Sequence, residues 1–262
     1  MRILIILCLL PVTLLAQQPP EEYPFRFQVF GAAAAPLFST GKHFNNNNLF
    51  GQATFAGGGG YMMSYRVRKN FHIGIVFHML MYTLHEEATR QQAYERYSKS
   101  GFYTGISEVN RNYSIATLNV EVAYRKYNPI VETEPFVRIG FASMELQQPT
   151  TVTTKQANTN YSETTSLWQA APETFSPSLN AGVRFFKKIN NRAGIAASAH
   201  YTYSSYNLDM REDITNHLNE RYPLYKVKIK QAVHAIQYEI GLQFRFYKKP
   251  KAATEVNSND QI

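Results

Sequence analysis

The chain is nearly devoid of cysteine. Its one copy, Cys8, lies in an apolar stretch at the N-terminus. Disulfide frameworks and thiolate chemistry are therefore excluded from the remainder. Past residue 16 there is no long apolar run, so no segment reads as a transmembrane helix. Helical periodicity is weak throughout. Acidic residues are the minority, 19 Asp and Glu against 27 Lys and Arg, for a formal net charge of +8. The seven histidines do not combine with cysteine or carboxylates at metal-ligand spacing, and no nucleic-acid module accompanies the basic balance. The composition points away from a metal, a cofactor and a nucleic-acid partner, and toward anionic membrane surfaces.

The ends have their own signatures. Arg2 precedes an apolar run from Ile3 to Ala16, interrupted by Pro11 and Thr13 and too short to cross a bilayer. Leu14-Leu15-Ala16 offers a small-residue cleavage point before Gln17. Residues 1–16 predict a secretory signal peptide, and 17–24 a short periplasmic lead-in. Residues 248–262 are charged and polar without apolar period, which predicts a disordered periplasmic tail.

Between the ends, alternation dominates. Ile236, Tyr238, Ile240, Leu242, Phe244 and Phe246 share one parity, while Gln237, Glu239, Gly241, Gln243 and Arg245 share the other. A strand sends alternate side chains to opposite faces, so one face is greasy and the other polar or tiny. Eight segments carry this pattern, about 25–37, 55–68, 71–84, 113–127, 136–146, 176–187, 193–208 and 233–247. Each reaches the ~9–11 residues that a tilted membrane-spanning strand needs. Short links at 69–70, 128–135 and 188–192 alternate with long ones at 38–54, 85–112, 147–175 and 209–232. These features predict an all-β fold: an eight-stranded antiparallel transmembrane up-and-down β-barrel over 25–247. It has long external loops and short periplasmic turns, in a Gram-negative cell outer membrane. The long links are rich in Asn, Thr, Gln, Ser and Tyr and read as solvated surface.

With this alternation, this loop asymmetry and the terminal Tyr238-x-Ile240-x-Leu242-x-Phe244-x-Phe246, the chain resembles the small outer-membrane barrels like outer membrane proteins A and X. The resemblance implies recognition by the barrel-assembly machinery and contact with outer-membrane lipid and lipopolysaccharide. Such folds host many tasks, so the pattern specifies architecture rather than role.

The polar parity places Arg26, Arg66, Glu121, Arg138, Arg184, Glu239 and Arg245 in the lumen. Charges in a confined interior must pair, which predicts a polar network filling the barrel. Lys226, Lys228 and Lys230 share the lipid-side parity above the membrane, where they would meet phosphates of lipopolysaccharide; a bulge near Gln231-Ala232 would spoil that register. Gly31, Ala33, Gly57 and Gly59 form a smooth outer patch; this patch or the C-terminal tail is a candidate protein-partner surface. His200-Tyr201-Thr202 superficially resembles the His-x-Ser motif of outer-membrane lipid A deacylases, with Asp209 or Glu212 as acid. His200 has lumen parity and Thr202 replaces the serine, so no catalytic residue is assigned. The expectation is a non-enzymatic barrel with an envelope-structure or surface-interaction role in its external loops. The alternatives are a lipid A-modifying enzyme or an accessory subunit of a secretion or uptake machine.

Overall fold

The computed structural model describes residues 24–37, 53–98, 100–108, 111–147, 149–156, 159–169, 174–216, 218, 220 and 225–246. The expected signal peptide, nearly all of the lead-in, and the C-terminal tail lie outside the described residues. Among the described residues eleven strands form one antiparallel sheet: β1 (Phe25–Pro36), β2 (Ala53–Arg68), β3 (Phe71–Leu84), β4 (Phe102–Glu108), β5 (Asn112–Tyr124), β6 (Glu132–Leu146), β7 (Thr150–Gln156), β8 (Ser162–Gln169), β9 (Thr174–Lys188), β10 (Ala193–Asn216) and β11 (Tyr225–Phe246). Among the described residues the one helix, α1 (Glu86–Tyr97), follows β3.

Eight of these strands close into a ring in the order β1-β2-β3-β5-β6-β9-β10-β11, because β11 pairs with both β10 and β1. Paired residues lead from Arg26 through Ser64, Gly74, Glu121, Arg138, Asn180, Thr202 and Ala235 back to β1 at Pro36, ten residues farther along. That stagger tilts the strands against the barrel axis and sets a bore that side chains fill. Closure leaves the ring no open edge, and every ladder in it is satisfied within the wall.

The alternation divides the ring into two faces. Ile139, Phe141 and Ile240 are 63–65% exposed on the outside, and Leu118, Val120, Leu179 and Ile195 lie with them. Arg26, Asn119, Glu121, Arg138, Asn180 and Glu239 are buried on the inside. The aromatic rings of Phe25, Tyr65, Phe71, Phe185 and Phe246 are exposed on the outside. Phe25 packs on Phe246, and Phe71 on Tyr124, at 5.4 and 5.2 Å between centroids.

Much of what the sequence leaves as loop is built. In the 85–112 link, His85 caps α1, its imidazole accepting from the Ala88 amide, and Glu86 and Glu87 fill the first turn. The helix buries Thr89 and Ala93, with Tyr97 below them on the same face. β4, β7 and β8 then join the upper part of β10 in the order β10-β8-β7-β4. These strands escape the alternation rule because Thr and Ser occupy both of their faces, so no apolar period marks them. β10 and β11 are 24 and 22 residues long and run far past the membrane. Their mutual register is unbroken from Ala193–Phe244 to Glu212–Tyr225, so no bulge interrupts Gln231-Ala232. β6 begins at Glu132, inside the stretch read as a turn.

Candidate functional site: a filled lumen beneath an external sheet

The inward face separates by height. Near the periplasmic end five arginines meet four glutamates among the described residues. Glu134 accepts from Arg26 and Arg125 at 2.8 and 2.9 Å and also contacts Arg184. Glu121 accepts from Arg138 and Arg184 at 2.8 and 2.6 Å. Arg138 grips Glu239 with two parallel bonds of 2.7 and 3.0 Å, a fork geometry that fixes both planes. Glu132 bridges Arg125 and Arg245 at 3.0 and 2.6 Å. Phe136 lies under Arg138 and Arg184, and Phe186 under Arg125 and Arg245, with guanidinium carbons 4.0–5.4 Å from the ring centroids. The network ties β1, β5, β6, β9 and β11 together across the bore, and Ser198 on β10 donates to Glu239 at 2.8 Å.

Five of the seven residues expected in this network, Arg26, Glu121, Arg138, Arg184 and Glu239, sit at its centre, and Arg245 joins through Glu132. Arg66 is the departure: it is half-buried at the end of β2, and none of the ion pairs among the described residues includes it. Arg125 is absent from the expected network, and Glu132 and Glu134 are the residues whose face sequence reading missed. Their parity matches Arg138, which is the signal that would have found them. Pro135 and Asn128-Pro129 suggested a turn instead.

The external half of the bore is not polar. Leu80, Tyr82, Leu84, Tyr113, Ile115, Met144, Tyr206, Leu208 and Met210 form one buried cluster. Tyr82 and Tyr113 stack at 4.9 Å and 6°. Leu167 of β8 belongs to this cluster and Tyr97 of α1 packs on it, so the elements above the membrane roof the bore. A wholly polar filling is therefore corrected to two layers, ionic below and apolar above.

Above the ring, the sheet presents an ordered outward face. Its rows read Thr153–Thr164–Thr215, then Thr151–Ser166–Asp213, then Trp168–Arg211–Lys226. Hydroxyl contacts of 3.4 and 3.3 Å join Thr151 to Ser166 and Thr153 to Thr164. Gln169 pins β8 to β6, donating to the Met144 carbonyl and accepting from the Leu146 amide at 3.1 and 2.9 Å. Arg90 of α1 donates to the Ile106 carbonyl of β4 at 3.1 Å and to Glu86. The bond from Arg90, with the positive field of Arg111, holds the Glu86 carboxyl below the usual carboxylate range.

The other expected sites fall as follows. Lys226 is exposed opposite Arg211; Lys228 and Lys230 pair by register with Asp209 and Asn207. Gly31 faces Gly59 and Ala33 faces Gly57 on the outer wall. His200 is buried in the lumen 3.8 Å from Glu239, and Thr202 donates to Gln237 at 3.5 Å. Asp209 is on the outward parity, so the structure does not bring His200, Thr202 and Asp209 together. Among the described residues no group of three or more His, Cys, Asp or Glu is placed to hold a metal.

A closed ring with an apolar outer band between aromatic girdles and a charged interior is stable only with lipid around it. This is an integral outer-membrane β-barrel. No protein-family model matches the sequence, and no curated protein matches it. Among solved structures the barrel is similar to a major outer membrane protein of Thermus thermophilus, at 13% identity over 85% of this chain and 99% of that one, TM-score 0.45. It is also similar to the outer membrane protein OprG of Pseudomonas aeruginosa, at 11% identity over 89% and 100%, TM-score 0.45. A third is Ail, the attachment invasion locus protein of Yersinia pestis, at 12% identity over 86% and 99%, TM-score 0.39. The architecture follows from this barrel's own ring and faces rather than from these likenesses.

Proposed function

We propose that this barrel is a non-enzymatic surface protein whose external sheet makes its contacts. The carrying observation is that the β10-β8-β7-β4 sheet and α1 are built, pinned to the ring by Gln169 and roofed onto the apolar cluster. The ring closes through the β1–β11 ladder without this superstructure, whereas recognition benefits from a rigid platform. β4 offers a further means of contact. Among the described residues no strand pairs with its outer side, and an extended segment of a partner can add there by main-chain hydrogen bonds.

The test removes the sheet and keeps the ring. Replacing Phe102–Glu108 and Thr150–Gln169 by short turns should leave a heat-modifiable barrel in the outer membrane while abolishing adherence or self-association of expressing cells. Unchanged adherence with an intact ring would count against the reading. Lipid A mass spectrometry tests the non-enzymatic part. An altered lipid A species made by wild type but lost in His200→Ala or His234→Ala would replace this reading with a lipid-modifying enzyme. His234 is included because Tyr201 Oη lies 2.6 Å from its Nδ1 on the outer wall.

A further inference from the structure

Each short turn at the periplasmic end carries cations. Arg66, Arg68 and Lys69 lie at the β2–β3 turn, Lys126 between β5 and β6, and Lys188 and Arg192 at the β9–β10 turn. All are exposed except the half-buried Arg66, and no ion pair among the described residues includes any of them. The neighbouring carboxylates Glu132 and Glu134 already serve the arginines of the lumen. The adjoining sequence does not reverse the balance. Residues 17–23 add Glu21 and Glu22, while 248–262 add Lys248, Lys249 and Lys251 against Glu255 and Asp260. Like charges gathered on one rim repel one another, so the surplus favours an anionic partner. Two apolar side chains stand among them. Ile130 and Ile189 are 76% and 63% exposed in the β5–β6 and β9–β10 turns. Both turns are fixed: Asn128 Oδ1 accepts from the Ile130 amide at 3.0 Å, and Asn190 Oδ1 accepts from the Arg192 and Ala193 amides at 2.8 Å each.

We propose that this rim docks an extended acidic segment of a periplasmic protein, bearing apolar side chains, across the mouth of the barrel. Geometry and size select the occupant. In the ring order the β2–β3 and β9–β10 turns lie half a circuit apart, so they face each other across the bore. With eight strands about 4.8 Å apart and tilted by about 40°, the wall is roughly 16 Å across. Arg66 continues the inward parity of Ser64, and Lys188 that of Arg184 and Phe186. These two border the mouth and face away from the phospholipid around the wall. A lone phosphate is too small to meet both sides. An extended segment of about five residues covers the distance, and its carboxylates reach both turns. Ile130 and Ile189 favour a polypeptide over an anionic sugar polymer, because apolar side chains of the segment would cover them. Preformed turns lower the ordering cost of that contact. The assignment does not depend on the surface-contact role of the external sheet.

The experiment uses the full chain in nanodiscs of neutral phospholipid, which leave both ends of the barrel open to solvent. The probe is a fluorescent peptide of alternating Glu and Leu, compared with its Lys-Leu and Glu-Gly counterparts. Affinity is read by fluorescence anisotropy, and carbodiimide coupling of peptide carboxylates to lysines is mapped by mass spectrometry. The Glu-Leu peptide should bind best and couple to Lys69, Lys126 or Lys188. Arg66→Glu/Lys188→Glu should weaken binding about ten-fold, and Ile130→Ser/Ile189→Ser about three-fold. Lys226→Glu, a charge reversal on the external side, should leave it unchanged. Equal affinity in wild type and Arg66→Glu/Lys188→Glu, or an equal loss in Lys226→Glu, overturns the proposal. Displacement by inorganic phosphate at comparable concentration would make this a free-anion site and overturns it too. Loss of peptide binding in discs of anionic phospholipid, or tighter retention on purified peptidoglycan, would assign the rim to lipid or to the cell wall instead. Lys69 and Arg192 are exposed, so Lys69→Glu/Arg192→Glu keeps the test decisive if the first double variant fails to assemble.

Discussion

At the scale of single residues, Glu134 carries the most. Its two oxygens serve guanidinium groups from β1, β9 and the stretch after β5. Glu134→Gln would leave three buried cations short of a counter-charge. Removing one partner of a buried ion pair costs roughly 3–5 kcal/mol, because the remaining charges stay desolvated. Reversible urea unfolding in lipid vesicles should show a loss of that size, while Arg66→Gln should stay within about 0.5 kcal/mol of wild type. Glu86, outside the membrane, titrates differently. Its bond from Arg90 sets its folded pKa below the ordinary value near 4.5. The tie between Glu86 and Arg90 is therefore present above the ordinary carboxylate range and is lost as pH falls through the lowered folded pKa. A side-chain NMR titration should give a midpoint below 4.5 that moves back toward it in Arg90→Gln.

At the scale of elements, one run of glycines separates two demands. A Cβ at Gly60 would lie 2.1 Å from the Phe77 carbonyl oxygen of β3, whereas one at Gly57 meets nothing closer than 4.0 Å. The inward glycine is needed for the close approach of β2 and β3; the outward one is not. Gly60→Ala should sharply lower the yield of refolded barrel on an unheated gel, and Gly57→Ala should leave it unchanged. On the lipid face, Leu118→Arg should cost about 2–4 kcal/mol in the same unfolding assay, since Leu118 is 54% exposed near the middle of β5.

The eight ring strands were legible for a related reason. A lipid-facing wall forces period-two hydrophobicity, and Val120, Val122, Val137 and Ile139 display it openly. β4, β7 and β8 extend the sheet from the far end of β10, beyond the apolar band. Thr151, Thr153, Thr164 and Ser166 pair through backbone and hydroxyl groups, and nothing in their polarity distinguishes a strand from a loop. The ionic layer was half legible. Parity gives each charge its face, but which of Glu121, Glu132, Glu134 and Glu239 meets which arginine depends on the ten-residue stagger, and stagger lies in the pairing. The apolar roof escaped notice because Tyr82, Met144 and Leu208 have the inward parity but a lipid-like character.

At the scale of the whole molecule, two chemically different layers obstruct the same bore. Ions must pass a lattice of arginine and glutamate, and then an apolar cluster under α1 and β8. Planar-bilayer recordings should show no stepwise conductance from the wild-type protein, and stable steps would mean that the layers part.

The way the external sheet is attached has a mechanical consequence. β8 meets β10 along a ladder of seven residue pairs from Met210–Gln169 to Asn216–Glu163. These strands rise out of the membrane, so a pull on β4 or β7 away from the cell loads that ladder along its length. All rungs then share the force at once, instead of opening one after another like a zipper. Beyond the ladder, tension reaches β10 and β11 as in-plane shear between long strands and disperses around a closed hoop, which has no end from which to peel. A contact made at the tip of this protein is thereby moored to the envelope by a joint whose lifetime is set by the rate of forced unfolding. Shortening β8 should lower rupture force in single-molecule pulling far more than it lowers equilibrium stability.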